Sequence, residues 1–217
     1  MRILVACEFS GIVRDAFIAR GHDAVSCDLL PSEQPGPHIQ ADIFTVLDRG
    51  WDMLLFFWPC TRLCNSGVRW LKERNLWNEM RDSAVRFNSL LNCPSIPLRC
   101  GENPVPHRYG IGKTYSQIIQ PWQYGHKEMK ATCLWLRGLP PLVPTNIVGP
   151  PPKDRAERRK WARVHNESPG PQRWANRSRT YQGIADAMAD QWWQCGTKPE
   201  TDPNAHLCGR NTVPFAN

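Results

Sequence analysis

Apolar residues run unbroken through Ile3, Leu4, Val5 and Ala6, the pattern of a strand covered on both faces. After a turn signal at Ser10 and Gly11, residues Ile12, Val13, Ala16, Phe17 and Ala19 recur at helical spacing as far as Gly21. Residues 24 to 27 read as a second strand that ends at Asp28. A proline-rich loop, PSEQPGPH, and a short segment around Asp42 follow. The apolar run 53 to 58 predicts another buried strand, Met53 to Phe57, which Pro59 stops, because proline cannot donate to a ladder. A long amphipathic helix is expected from about 70 to 91, then a strand over 95 to 100 that ends at Gly101-Glu102-Asn103-Pro104. Strand, helix, strand, helix, strand is the order of a doubly wound α/β sheet.

Past residue 140 the pattern changes. PPLVP and GPPPK lead into a basic stretch, which reads as an inserted loop region, and TYQGIADAMADQWW returns to helical spacing through Ile184, Ala185, Met188 and Trp192. The division expected is an α/β domain over 1–138, a basic insertion over 139–179, a returning helix over 180–194 and a poorly ordered tail over 195–217. A chain of 217 residues holds one core with a small appendage, and no internal repeat is visible. Monomer is the expected state.

Charge narrows the partner. The net charge of +7 is concentrated in KDRAERRKWARVH, residues 153 to 165, and QRWANRSR, residues 172 to 179. Such a concentration suits a polyanion, since each Lys or Arg laid on a phosphate releases counterions. A solvated helix face is the plainer alternative for the same residues. No stretch approaches the roughly 20 apolar residues that span a bilayer, and the opening segment turns polar too soon for a signal peptide, so a cytoplasmic location is expected. There the nine cysteines are expected to be thiols, and their spacings match no structural zinc site, so no metal is expected.

In doubly wound sheets the ligand lies outside the carboxyl ends of the strands. Glu8, Asp28, Cys60 and Glu102 all fall at such ends. A thiol at the edge of a sheet can serve as a nucleophile, although free cysteine is as readily a core residue. A carboxyl group beside it changes the weighing. Addition of a thiolate to carbon 6 of a pyrimidine needs a proton donor at the ring nitrogen opposite, and Glu102 supplies one. Its plainer role is a loop or helix cap.

This order of residues resembles that of the DNA cytosine-5 methyltransferases, particularly the small bacteriophage members. EFSG, residues 8 to 11, is similar to the opening phenylalanine-glycine motif. Asp28 in SCDLL and Asp42 in ADI match the acidic residues after the second and third strands. WPC supplies the proline-cysteine motif, and ENP the glutamate-asparagine motif. QYGHKEMKATCLWL, residues 123 to 136, and TYQGIADAMA resemble the later segments.

The resemblance implies a Rossmann-like S-adenosylmethionine-dependent methyltransferase sheet acting on DNA. Cys60 is then the nucleophile, with Glu102, Asn103 and Lys130 as its catalytic company. Glu8, Phe9, Ser10, Gly11, Asp28, Leu29, Asp42, Ile43 and Pro59 line the cofactor site. Phe9 packs on the adenine, Asp28 binds the ribose hydroxyls and Asp42 meets the adenine amine. Arg155, Arg158, Arg159, Lys160, Arg163, Arg173, Arg177 and Arg179 hold the DNA backbone, with Trp161 and Trp174 available to stack.

The chain departs from the family pattern in places. Ile12, Val13 and Arg14 follow where the family has a glycine pair, which calls for a tighter cofactor loop. Thr61 follows the Pro-Cys pair, Lys127 and Lys130 are the nearest basic equivalents of an arginine motif, and the recognition region is short. Two other readings use the same residues: thiol addition to a free pyrimidine nucleotide, and a silent scaffold that binds DNA or a host protein.

Overall fold

The computed structural model describes residues 1–193. At its centre lies a sheet of seven strands: β1 (Arg2–Ala6), β2 (Asp23–Asp28), β3 (His38–Gln40), β4 (Met53–Phe57), β5 (Leu98–Pro104), β6 (Gln117–Ile119) and β7 (Thr132–Arg137). Their spatial order is β3-β2-β1-β4-β5-β7-β6. Strands β1 to β5 run parallel, and β7 is antiparallel to both its neighbours, so the sheet is mixed.

Helices cover both faces, which is why the strands read as continuous apolar runs. On one face α1 (Ile12–Ile18) and α7 (Gln182–Trp192) bring Val13, Phe17, Ile184 and Trp192 against Ile3, Val5 and Leu134. On the other, α3 (Trp77–Leu91) brings Phe87, Leu90 and Leu91 against Leu4, Leu54, Phe56 and Trp135. Each such side chain, fully buried, contributes roughly 1.5–3 kcal/mol. The Phe56, Phe87 and Trp135 rings meet edge to face at centroid distances of 5.1 and 5.0 Å. They press on Gly101, where a Cβ would stand only 2.5 Å from Phe56. Arg20 ties α1 to α7 through Asp186 and Asp190.

Three expectations need correction. The helix expected over 70 to 91 is two helices, α2 (Val68–Glu73) and α3, separated where Asn75 takes the left-handed φ of 51° that asparagine tolerates. The strand expected over 95 to 100 starts at Leu98 and continues through Pro104, because β7 offers partners as far as Asn103↔Cys133 and Pro104↔Thr132. The segment 139–179 is not loop alone. Leu139 and Leu142 belong to the core, and three short helices follow: α4 (Arg155–Lys160), α5 (Arg163–Asn166) and α6 (Arg173–Ser178). Asp154 starts α4 by accepting a hydrogen bond from the Glu157 amide at 2.9 Å.

The expected tail, 195–217, lies outside the described residues. Among those described, no helix is long and apolar enough to cross a membrane, and no group of His, Cys, Asp or Glu could hold a metal ion.

Candidate active site

The order of strands reverses between β1 and β4, and in open α/β sheets the crevice outside the carboxyl ends at that point receives the ligand. Residues 7 to 11 leave β1 there, Asp28 ends β2, and Trp58, Pro59 and Cys60 leave β4. Glu102 reaches the same edge because β5 is registered with Phe57 opposite Glu102.

Cys60 is held by its loop. Pro59, exposed and with φ fixed near −50°, starts a 3-10 turn over Cys60–Arg62. Asn103, wholly buried, donates its side-chain amide to the Trp58 carbonyl at 2.8 Å and so fixes the chain just ahead of the cysteine. From the far side, the His107 amide donates to the Leu63 carbonyl. The imidazole Nδ1 of His107 accepts from the Tyr109 amide, so Nε2 carries the proton that reaches the Arg62 carbonyl at 2.7 Å.

The electrostatics of Cys60 come from three neighbours. A side-chain hydrogen bond with Cys64 pushes its thiol up, burial adds to this, and the nearby Glu102 carboxyl adds again, while Lys130 opposes. Cys64 moves the other way: the contact with Cys60 lowers it, as do the Ser66 hydroxyl at 3.0 Å and the amides of Ser66 and Gly67. The two sulfurs therefore compete for one proton. Burial also pushes the Glu102 carboxyl up, with Lys130 and Thr132 opposing.

Lys130 donates to the carbonyls of Arg177, at 2.9 Å, and Arg179, at 3.3 Å. Glu102, Lys130 and Thr132 share a narrow cleft with Phe57 and Tyr181, large enough for about one water.

The β1 side carries a second, adjoining cleft, lined by Cys7 to Ser10 and by Ser178 to Thr180. Glu8 is 5% exposed; its Oε1 accepts from the Ser10 hydroxyl and its Oε2 has no partner among the described residues. Burial pushes this carboxyl up. Phe9 meets Trp174 of α6 at 5.4 Å between ring centroids. Gly11 has a φ of 78°, and the Arg14 guanidinium lies against it, so the loop is tight without a glycine pair.

The other expected cofactor residues are spread along this edge. Asp28, half-buried and pushed up by burial, accepts from the Leu30 amide at 3.0 Å. Asp42 is exposed and caps a 3-10 turn by accepting from the Phe44 amide, with Arg86 at 3.8 Å. Ile43 is buried and Leu29 is 71% exposed.

The basic segment divides into tied and open charges. Arg163 pairs at 2.8 Å with Glu128, whose carboxyl is fully buried. Arg179 makes two bonds to Glu33, at 3.0 and 2.6 Å, and Lys160 pairs with Glu157. Arg155, Arg158 and Arg159 are exposed, and neither they nor Arg173 and Arg177 form an ion pair among the described residues. Trp161 is half-buried and gives its carbonyl to the Met129 amide; Trp174 is 55% exposed.

Several residues of the site carry no mark in the sequence. Cys64 reads as a bystander until the turn folds it under Cys60. Arg14 is visible as a charge among the apolar positions of α1, which is the signal that a buried arginine leaves. Thr132 and Glu33 leave no signal. No family model matches the chain, and no curated protein matches it.

Proposed function

We propose that the chain transfers a methyl group from S-adenosylmethionine to carbon 5 of cytosine in DNA. The observation that supports this is the meeting of Cys60, Glu102 and Lys130 at the switch-point edge, beside the 8–11 loop and Asp28. The cofactor fits the residues present. Glu8 offers a buried carboxylate oxygen with no partner, suited to an ammonium group, and Asp28 has an oxygen free for hydroxyls. Phe9 offers a ring face once Trp174 gives way. When bound, S-adenosylmethionine supplies a methyl group on a positive sulfur.

The chain's own residues account for the activation of the base. A cytosine flipped from its stack enters between Cys60 and Glu102. The Cys60 sulfur adds to carbon 6, and its proton passes to the neighbouring Cys64 sulfur as the bond forms. Glu102, whose carboxyl burial pushes up, gives its proton to the ring nitrogen, so that carbon 5 becomes electron-rich without build-up of charge. After methylation the carbon 5 proton leaves to solvent, the Cys60 sulfur is expelled and takes its proton back from Cys64, and the ring nitrogen returns its proton to Glu102. Asn103 holds the Trp58 carbonyl and with it the position of the sulfur. Arg155, Arg158 and Arg159 are the open charges for phosphates.

A silent DNA-binding scaffold is the second reading, favoured by Trp174 covering Phe9 and by the narrowness of the Glu102 cleft. Transfer of tritium from methyl-labelled S-adenosylmethionine separates the two. Label in DNA, lost in Cys60→Ser with cofactor affinity unchanged, supports the enzyme. Label in free nucleotides alone points to the nucleotide reading, and no label with intact DNA binding points to the scaffold.

A further inference from the structure

Cys60 and Cys64 face each other across one turn of backbone. The Cys64 amide donates to the Cys60 carbonyl at 3.0 Å, which closes a four-residue step. A step of that kind sets the two α-carbons about 6 Å apart, inside the window of about 4.4–6.8 Å that a disulfide spans. The thiols lie close enough to shift one another, and both are free. Cys60 is part-exposed and gives small solutes a way in, while Cys64 is buried at 4% exposure beneath it. The Cys64↔Pro106 bridge and the Ser66 hydroxyl hold the lower sulfur in place.

We propose that Cys60 and Cys64 form an oxidation site, a dithiol that closes to an intramolecular disulfide with hydrogen peroxide as the oxidant. The thiolate of the pair attacks one peroxide oxygen, the O–O bond breaks, and hydroxide leaves, taking a proton to become water. The second thiol then attacks the resulting sulfenic sulfur; an S–S bond forms, the S–O bond breaks, and a second water leaves with the remaining thiol proton. Two thiols lose two hydrogens and one peroxide becomes two waters. The two sulfurs share one proton, so the negative charge can rest on the accessible Cys60 sulfur, and peroxide reacts with thiolates rather than thiols.

The other described cysteines lack this arrangement. Cys93, Cys100 and Cys133 are buried in the core, and burial raises Cys100 and Cys133. Cys7 and Cys27 are both raised by burial as well, so neither offers a thiolate. The site does not depend on methyl transfer, although closing it removes the nucleophile that transfer uses.

The test uses the full chain, reduced, treated with a small excess of hydrogen peroxide, blocked with N-ethylmaleimide and digested with trypsin without reductant. Arg62 lies between the two cysteines, so they fall on separate peptides, residues 50 to 62 and 63 to 69. The expected result is a joined species two hydrogens lighter than the sum of the free peptides, released by dithiothreitol and dominant over every other link. Recovery of the two peptides apart, blocked or carrying added oxygen, overturns the proposal. So does an equal yield of the link in 8 M urea, which would assign it to chain proximity rather than to the folded turn. Cys64→Ser is expected to abolish the link, and Cys93→Ser to keep it.

Discussion

Arg14 and the arginines of α4 use the same side chain in opposite ways. Arg14 is fully buried, and its guanidinium spends its hydrogens on Asp15 at 2.7 Å, the hydroxyls of Ser26 and Ser32, and the carbonyls of Gln34 and Pro35. Gly36, with a φ of 147°, brings its backbone close against that group. The charge is a rivet that holds the proline-rich loop to α1, beside the Glu8–Gly11 turn. Arg155, Arg158 and Arg159 have no such partners among the described residues and are exposed. A buried charge is useful only when fully satisfied, whereas an exposed one is useful only while unsatisfied, since an arginine already paired has little left for a phosphate.

Removing the rivet gives the largest effect on stability. Arg14→Met leaves the Asp15 carboxylate and two loop carbonyls without their donor, and a loss of about 3–5 kcal/mol is expected, read by urea denaturation. DNA affinity of the folded fraction should stay within about twofold, since only an exposed charge meets phosphate. Charge reversal at the other site inverts this. Arg158→Glu with Arg159→Glu is expected to weaken DNA binding at least ~10-fold and to lower the slope of log affinity against log salt by about 2, with stability moved by less than about 0.5 kcal/mol. An unchanged salt slope removes the case for α4 as the phosphate contact.

Glu102 sharpens the contrast through pH. Its carboxyl is raised by burial above the ordinary value near 4.3. The neutral form therefore contributes stability that is full below that ordinary value and is lost as pH rises through the shifted one. The transfer rate should fall over the same alkaline limb, and Glu102→Gln should lower the rate about 10²–10⁴-fold and flatten the limb. The smallest effect belongs to an intermediate case. Glu33→Gln frees Arg179, which the pair holds at a part-exposed site, so stability should drop by less than about 1 kcal/mol while DNA affinity rises slightly at low salt.

The sheet was largely legible because strands covered on both faces must be apolar throughout, as in Met53–Phe57, whose expected and observed bounds coincide. Boundaries failed where a distant partner decided them. Leu98–Pro104 is extended by its antiparallel neighbour β7, which nothing local announces. The break at Asn75 rests on a single backbone angle. At the site, residues at strand ends could be named one by one, since topology delivers them to one edge. Contacts made by folding back were not legible. Trp174 on Phe9 and Arg179 on Glu33 join segments whose spacing carries no period.

The account's central claim is that the Cys60 sulfur bonds to carbon 6 of a cytosine. DNA carrying 5-fluorocytosine tests it directly, because after methylation fluorine cannot leave carbon 5 as a proton does, and the adduct is trapped. The account predicts a covalent protein–DNA complex that needs S-adenosylmethionine, attached within residues 50 to 62 at Cys60 and absent in Cys60→Ser. No complex on any DNA bound by the chain, or a complex that survives Cys60→Ser, would contradict it.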